Sequence, residues 1–255
     1  IDQIEEKLTV YRDSSDISRI NRDAFTQPLP VSRDVFDLLT ECFRLSSETA
    51  GAFDVTAGPL IRAWGFKTRE GRVPTEETIA EARRSVGYQH LELDARGTTV
   101  RFKQPGLEIN LAAIGKGYAL DQVYDHLVDL GNRDFLLSAG SSSVRACGQL
   151  NGSGWLVDIA DPQERSHQAG QVRLVNQGLS TSGSSEQYFE FEGRLLSHVI
   201  DPRTGWPIEG RRQVTVVSPS ATRSEALSTA FFVQGWSWTA DYCQRNPEVG
   251  VIYFE

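Results

Sequence analysis

The apolar residues of this chain repeat with two periods, and segments of each kind follow one another irregularly. After Ser32, apolar residues recur at the three- and four-residue spacing of a helix face, at Val35, Leu38, Leu39, Cys42, Phe43 and Leu45. Around Glu192-Gly193 the residues alternate instead, which predicts a β-hairpin of residues 188–191 and 194–200. An irregular mixture of helices and strands favours an α+β fold over a doubly wound sheet.

A strand, a glycine-punctuated turn and a helix are predicted in order over residues 108–130. Asn110 can accept hydrogen bonds from the free N–H groups of a helix start. Two glycines flank Lys116, so the backbone can pass close to a ligand beside a point charge. Apolar residues then line one helix face up to Leu130, before Gly131. This pattern suits an anion such as a phosphate, and it equally suits a strand-to-helix corner with a surface lysine.

Other elements follow from local signals. Ser15 or Asp16 is a candidate cap for a helix that follows residues 13–16, and further helices are predicted from Thr75 and from Ser224. Further strands are predicted at residues 90–93, 98–103, 107–109, 135–137, 144–147, 155–159, 172–175, 214–218 and 249–254.

Three stretches are rich in small residues. The loop 49–66 holds Asp54 among apolar residues, and such a loop either packs into a core or lines a pocket. The runs 138–143 and 179–185 are rich in serine. At 138–143, hydroxyl and backbone N–H groups at a strand end can hold a phosphate or ribose, with a flexible turn as the alternative.

Two further patterns suggest chemistry near the C-terminus. His198 runs into a turn with Asp201, Arg203 and Thr204, so it is either a structural histidine or a site residue. Glu225 and Thr229 lie four residues apart on one predicted helix face. A carboxylate and a hydroxyl on one face can hold a hard cation such as Mg²⁺, although an ordinary acid in the first turn of a helix gives the same pattern.

Composition narrows the function classes. The 255 residues are 39% hydrophobic and 24% charged, as in ordinary globular proteins. A net charge of −8 without a long basic run argues against nucleic acid as a partner. No apolar run approaches the ~20 residues of a membrane span. The three cysteines show neither a metal spacing nor a disulfide framework, which predicts buried free thiols.

The chain contains no methionine and opens at Ile1 in a helical pattern. We therefore expect that a preceding segment, which can include a signal peptide or lipid anchor, has been trimmed.

Five segments together resemble the FAD:protein FMN transferase family, also known as the ApbE proteins. They are 11–21 (YRDSSDISRIN), 51–66 (GAFDVTAGPLIRAWGF), 109–121 (INLAAIGKGYALD), 197–207 (SHVIDPRTGWP) and 224–230 (SEALSTA). The resemblance implies one T-fold-like α+β domain over residues 1–255, with antiparallel sheets, packed helices and the N-terminal strand trimmed. It also implies an enzyme that binds FAD and Mg²⁺ and moves FMN onto a threonine or serine hydroxyl of an acceptor flavoprotein, releasing AMP. A periplasmic protein or membrane-anchored lipoprotein is expected from the family.

The resemblance also implies roles for individual residues. FAD would contact Ala52, Phe53, Asp54, Asn110, Lys116, His198 and Ile200. Mg²⁺ would be bound by the main-chain carbonyl of Ala113 and by Glu225 and Thr229. Lys116 would neutralise pyrophosphate charge, and His198 is the candidate base for the acceptor hydroxyl.

The chain departs from the family pattern at three places. The family commonly has aspartate at the positions of Asn110 and Glu225, and a Gly-Gly-Glu or Gly-Gly-Asp run where residues 141–143 are serines. Asn110 keeps an acceptor without the charge, and Glu225 keeps the charge on a longer arm. Two alternatives follow: an FAD-binding paralogue without transferase activity, and an FAD pyrophosphatase that releases FMN and AMP.

Overall fold

The computed structural model describes residues 1–66, 72–164, 166–184 and 188–255. Its helices are α1 (Asp2–Leu8), α2 (Asp16–Asp23), α3 (Arg33–Glu48), α4 (Gly58–Ala63), α5 (Glu76–Arg84), α6 (Gly115–Asp129), α7 (Ala221–Gln234) and α8 (Trp236–Arg245). Its strands are β1 (Leu29–Pro30), β2 (Leu91–Asp94), β3 (Thr99–Phe102), β4 (Phe135–Ala139), β5 (Ser143–Cys147), β6 (Trp155–Ala160), β7 (Gln168–Leu174), β8 (Gly178–Gly183), β9 (Tyr188–Phe191), β10 (Arg194–Ile200), β11 (Pro207–Glu209), β12 (Gln213–Ser218) and β13 (Gly250–Phe254). Among the described helices, none is both long and apolar enough to cross a membrane.

The first compact unit, unit 1, consists of Ile1–Ala112 and Ile200–Ile208. Its antiparallel sheet has the order β1-β3-β2. The buried face of α3 matches the predicted apolar stripe except at Phe43, which is 37% exposed. Trp64 is fully buried and donates from Nε1 to the carbonyl of Gly205 at 2.9 Å. The Trp206 ring also lies 5.3 Å from that of Trp64, so the returning segment is anchored inside unit 1.

The second compact unit, unit 2, consists of Ala113–Val199 and Glu209–Glu255. Its main sheet is antiparallel with the order β13-β12-β8-β5-β4. The β6–β7 hairpin packs on this sheet through Ile159 and Leu174, which contact the buried Val144 and Leu179. Helix α7 is buried along almost its whole length, and its buried residues include the polar Thr222, Ser224, Glu225 and Ser228.

The predicted α+β class with antiparallel sheets is confirmed. Thr75 caps α5, Ser15 caps α2 by accepting from Ser18 N, and β9 pairs with β10 around Glu192-Gly193 as predicted. The extent of a single domain over residues 1–255 stays a prediction.

Four local predictions are wrong in detail. The strand predicted at 107–109 is only an isolated parallel bridge between Ala57 and Glu108. Leu130 is 66% exposed, because α6 ends one residue earlier. Ser32 occupies the N-cap position of α3 without capping it, since its hydroxyl contacts Asp16 instead. Helix α7 begins at Ala221 rather than Ser224, because Ser220 caps it by accepting from Arg223 N.

Candidate functional site: a polar cluster between two helices

The start of α6 is built for close approach to α7. A Cβ on Gly117 would lie 2.3 Å from the carbonyl oxygen of Ala221, so only glycine fits there. The helix begins at Gly115 after Ile114, whose side chain makes no capping bond. Asn110 was a candidate for that role and does not fill it, because its Oδ1 accepts from Ala112 N at 2.9 Å in a local turn.

Glu225 is a buried acid that faces the start of α6. Its side chain is 6% exposed, and its Oε2 accepts from the Gly117 backbone N–H at 2.6 Å. Its Oε1 lies 3.6 Å from Lys116 Nζ. Burial raises the pKa of the Glu225 carboxyl, and the Gly117 N–H and the charge of Lys116 oppose that rise. The carboxylate is therefore fixed by main chain on one side and by a cation on the other.

Lys116 connects this acid to the serine run at residues 141–143. Its Nζ donates to Ser142 Oγ at 2.7 Å, while its side chain is still 47% exposed. Ser142 is buried in the turn that joins β4 to β5. The structure thus brings together a lysine and a hydroxyl run that the sequence treated as separate candidates for an anion site.

Two serines extend the cluster: Ser182 from the serine-rich run 179–185, and Ser228 from the segment 224–230. Neither was assigned a role from the sequence. Ser182 Oγ lies 2.8 Å from Ser228 Oγ and 3.4 Å from Thr229 Oγ1. Thr229 lies one turn after Glu225 as predicted, and its hydroxyl contacts the Glu225 carbonyl at 3.4 Å. The polar cluster is defined here as Lys116, Ser142, Ser182, Glu225, Ser228 and Thr229. Lys116, Glu225 and Thr229 were candidates from the sequence, and the structure adds the two serines.

The donor atoms of the polar cluster fit a hard cation. Within the described ranges, no group of three or more His, Cys, Asp or Glu side chains could hold a metal. The candidates at α7 are instead one carboxylate and several hydroxyl oxygens. Mg²⁺ is usually bound through one or two carboxylates and completed by water and substrate phosphates. The set therefore suits Mg²⁺ and does not suit zinc. The role of the Ala113 carbonyl, just before α6, stays a prediction.

Asp121 and Arg145 hold the start of α7 in place. Asp121 accepts from Ala221 N at 3.0 Å and from Thr222 N at 2.8 Å, and it also accepts from the Thr222 hydroxyl at 2.6 Å. Arg145 Nε lies 3.0 Å from Asp121, and Arg145 Nη1 donates to the Pro219 carbonyl at 2.8 Å. These bonds satisfy N–H groups that a helix start otherwise leaves unpaired.

In unit 1, Asp54 organises a turn. Its Oδ1 accepts from the N–H and hydroxyl of Thr56 at 2.8 and 2.7 Å, and its Oδ2 accepts from Tyr88 N at 2.8 Å. Burial raises the pKa of the Asp54 carboxyl against these bonds. A cavity of about 470 Å³ is lined by Asp54, Arg83, Tyr88 and Arg203, among others.

The remaining candidate FAD contacts are buried residues, together with Asn110 and His198. Ala52, Phe53 and Ile200 are 1%, 1% and 7% exposed, so a ligand could meet them mainly through their main chain. Asn110 N donates to the Val55 carbonyl at 2.7 Å, which places Asn110 beside the 52–56 stretch of unit 1. His198 lies half-buried in β10. The contacts of these residues with FAD stay predictions.

Comparison with known proteins gives one consistent result. The sequence model of the ApbE family matches residues 1–253. The chain is 32% identical to the FAD:protein FMN transferase of Haemophilus influenzae, over 95% of this chain and 72% of that protein. It is 34% identical to the FAD:protein FMN transferase of Escherichia coli K12, over 92% of this chain and 69% of that protein.

Solved structures agree with the sequence relatives. The apo form of the flavinyl transferase ApbE of Pseudomonas stutzeri matches with a TM-score of 0.88 and 35% identity, over 99% of this chain and 78% of that one. The ApbE protein of Thermotoga maritima matches with a TM-score of 0.90 and 30% identity, over 98% and 82%. This chain belongs to the ApbE family, the family of the flavin transferases that it matches.

Proposed function

We propose that this protein is a Mg²⁺-dependent FAD:protein FMN transferase, which moves FMN from FAD to a serine or threonine hydroxyl of an acceptor protein and releases AMP. The observation that carries the proposal is the contact of Lys116 with both Glu225 and Ser142 at the start of α6. A fixed cation, a buried carboxylate and hydroxyl oxygens are the groups that pyrophosphate chemistry needs.

The reaction is a phosphoryl transfer at the phosphorus of the FMN half of FAD. The acceptor oxygen bonds to the phosphorus of the FMN half, the bond from that phosphorus to the bridging oxygen breaks, and AMP leaves with that oxygen. The hydroxyl proton passes to a base, for which His198 is our candidate. Mg²⁺, held by Glu225, Thr229 and the Ala113 carbonyl, would neutralise charge on the phosphate oxygens. Lys116 stabilises the charge on the pyrophosphate as the bond breaks.

The FAD contacts proposed for unit 1 follow the family pattern. We assign Asp54 and Asn110 to polar contacts, and Ala52, Phe53 and Ile200 to contacts made through main chain or apolar atoms. Asp54 is suited to a fixed role, because three hydrogen bonds hold its carboxylate. The absence of a charge on Asn110 leaves an amide that can both donate to and accept from a ligand.

The test is a product assay with purified protein, FAD, Mg²⁺ and serine- or threonine-containing peptides. We expect AMP and peptide-bound FMN in equal amounts, both abolished by EDTA. Glu225→Gln should lose at least about 100-fold in rate, since it removes the carboxylate of the cluster. The matched control is Glu92→Gln, which changes an exposed glutamate of β2 and should leave the rate unchanged.

Other products would identify the alternatives. AMP with free FMN would show a pyrophosphatase, and bound FAD without turnover would show a binding protein. Either result, or full activity of Glu225→Gln, would contradict the proposal.

A further inference from the structure

We propose that an extended segment of the acceptor protein binds to unit 2 as an added strand along Thr181–Gly183 of β8. Its target serine or threonine would face the polar cluster, and the neighbouring side chains would enter a cavity on the other face of the sheet. This inference rests on the transferase function proposed above and names how its protein substrate is recognised.

The first observation is a gap in the sheet. Strand β5 pairs with β8 only from Gly178 to Ser180, and the Ser142 carbonyl then accepts one more bond from Thr181 N at 2.8 Å. On its other side, β8 stays paired with β12 as far as Gly183. Among the described residues, β8 therefore continues past the end of β5, and no strand pairs with Gly183 on that side. A strand edge of this kind binds peptides through their main chain.

The second observation is that the side chains of this part of β8 lie on both faces of the sheet. Ser182 points toward α7, where its hydroxyl contacts Ser228 and Thr229. Thr181 and Gly183 line a cavity of about 230 Å³ together with β6. Successive residues of a strand point to opposite faces. A peptide strand added here would repeat that alternation, with one side chain toward Glu225 and the next into the cavity.

The cavity has the chemistry of a side-chain pocket. Its walls include Val144, Val157, Ile159 and Leu179, which favour an apolar group. Gln213 Nε2 donates to the Ala160 carbonyl at 2.9 Å and closes one side. Ser142 also lines this cavity and accepts from Lys116, so the pocket adjoins the cation that we assign to the pyrophosphate.

The expected occupant is a protein segment rather than a nucleotide. The main chain of Gly183, which no described strand pairs on this side, can bond to a peptide backbone. The pocket walls combine hydrocarbon side chains with Asp158, Thr181 and Gln213, and no lysine or arginine is among its lining residues within the described chain. The acceptor predicted by these features carries an apolar residue next to its serine or threonine, in an extended conformation.

The probe is the peptide set acetyl-Gly-Ala-X-Thr-X-Ala-Gly-amide, with X as Leu, Val, Asp or Lys, assayed for covalent FMN. We expect kcat/KM at least about tenfold higher for Leu or Val than for Asp or Lys. Single N-methyl groups are then placed along the best peptide. N-methylation at alternate amides should lower kcat/KM about tenfold, while the intervening amides tolerate it, because only alternate N–H groups face β8.

A matched pair of variants tests the pocket. Val157→Phe fills it, whereas Leu156→Phe places the same ring on the exposed face of β6, where Leu156 is 51% exposed. Val157→Phe should raise KM for the Leu peptide at least about fivefold without changing the dissociation constant of FAD, and Leu156→Phe should change neither.

The outcomes separate this inference from the proposed function. If the wild-type protein attaches FMN to none of the peptides, both are overturned. If it attaches FMN with no preference for X, with no alternation in the N-methyl series, or with the same KM in Val157→Phe, the added-strand site is overturned and the transferase function stands.

Discussion

Gly117 and Glu225 are joined by a hydrogen bond of 2.6 Å between the backbone N–H of one and the carboxylate of the other. Gly117 is the third residue of α6, so its N–H has no partner within the helix. Asp121 of α6 in turn accepts from Ala221 and Thr222 at the start of α7. Each helix thus caps the other with an acid, and the polar cluster lies where the two caps meet.

The close contact at Gly117 predicts a clear cost for adding a methyl group. Gly117→Ala should lower the free energy of unfolding by about 1–3 kcal/mol or more and lower the transfer rate, because α6 and α7 must separate. Gly115→Ala is the control, since its Cβ would meet nothing within 4 Å. Chemical denaturation should show Gly115→Ala equal to or above the wild type by up to about 1 kcal/mol. Equal stability of the two variants would contradict the proposed contact.

Asp121 should matter for stability more than its neighbours on α6. Asp121→Asn weakens the pair with Arg145 and removes an acceptor at the start of α7, which predicts a loss of about 2–4 kcal/mol. The matched control is Asp125→Asn, one turn later and exposed. Partial desolvation and the charge of Asp121 raise the pKa of Asp125, so loss of its charge costs little and the variant should stay within about 0.5 kcal/mol of the wild type. Urea titrations of both variants give the comparison.

We expect Lys116 to contribute to binding and reaction of the FAD pyrophosphate more than to stability of the fold. Lys116→Ala should lower kcat/KM for FAD by about 100-fold, because a fixed positive charge next to the pyrophosphate is lost. Its melting temperature should fall only slightly, since the Lys116 side chain is 47% exposed and Glu225 keeps its hydrogen bond from Gly117 N. Lys103→Ala, which removes an exposed lysine of unit 1, is the control and should keep full activity. A wild-type kcat/KM in Lys116→Ala would remove this lysine from the mechanism.

The raised pKa of Asp54 predicts how the stability of the folded protein depends on pH. Burial raises its pKa above the ordinary value of 3.8, so ionisation of Asp54 destabilises the folded state. That destabilisation is complete above the folded pKa and vanishes as pH falls below 3.8. Asp54→Asn cannot ionise, so the stability of the wild type relative to this variant should fall as pH rises through the folded pKa.

The measurement for Asp54 is the free energy of unfolding of both proteins between pH 4 and pH 7. A constant offset is expected from the lost acceptor for Tyr88 N, and only the slope carries the prediction. A difference that does not change with pH would show that the pKa of Asp54 is not raised.

The sequence predicted elements best where the signal was local. Thr75 and Ser15 cap helices because each side-chain oxygen reaches an N–H three residues ahead. Glu225 and Thr229 share a helix face for the same reason, since their spacing alone places them one turn apart. These features require no knowledge of the rest of the chain.

The parts that were missed are one contact between residues far apart in the sequence and the starts of two helices. The contact of Ser182 with Ser228 joins a strand to a helix 46 residues later, and no local pattern marks it. Asn110 was a candidate cap for α6, but its Oδ1 accepts a hydrogen bond from Ala112 N, two residues away. The start of α7 was placed three residues late because Ser224 was taken as its first residue, whereas Ser220 caps the helix and Asp121, 100 residues earlier, also accepts from Ala221 N.

The exchange of caps between α6 and α7 also bears on the order in which this protein folds. Two N–H groups at the start of α7 are satisfied by Asp121, and one at the start of α6 by Glu225. Neither helix start is complete until a loop of roughly 100 residues has closed, a contact whose entropy cost must be met before the contact forms. During synthesis, the Gly117 N–H of α6 therefore has no partner until Glu225 has been added, 108 residues later. The polar cluster is complete only when the two helices have met.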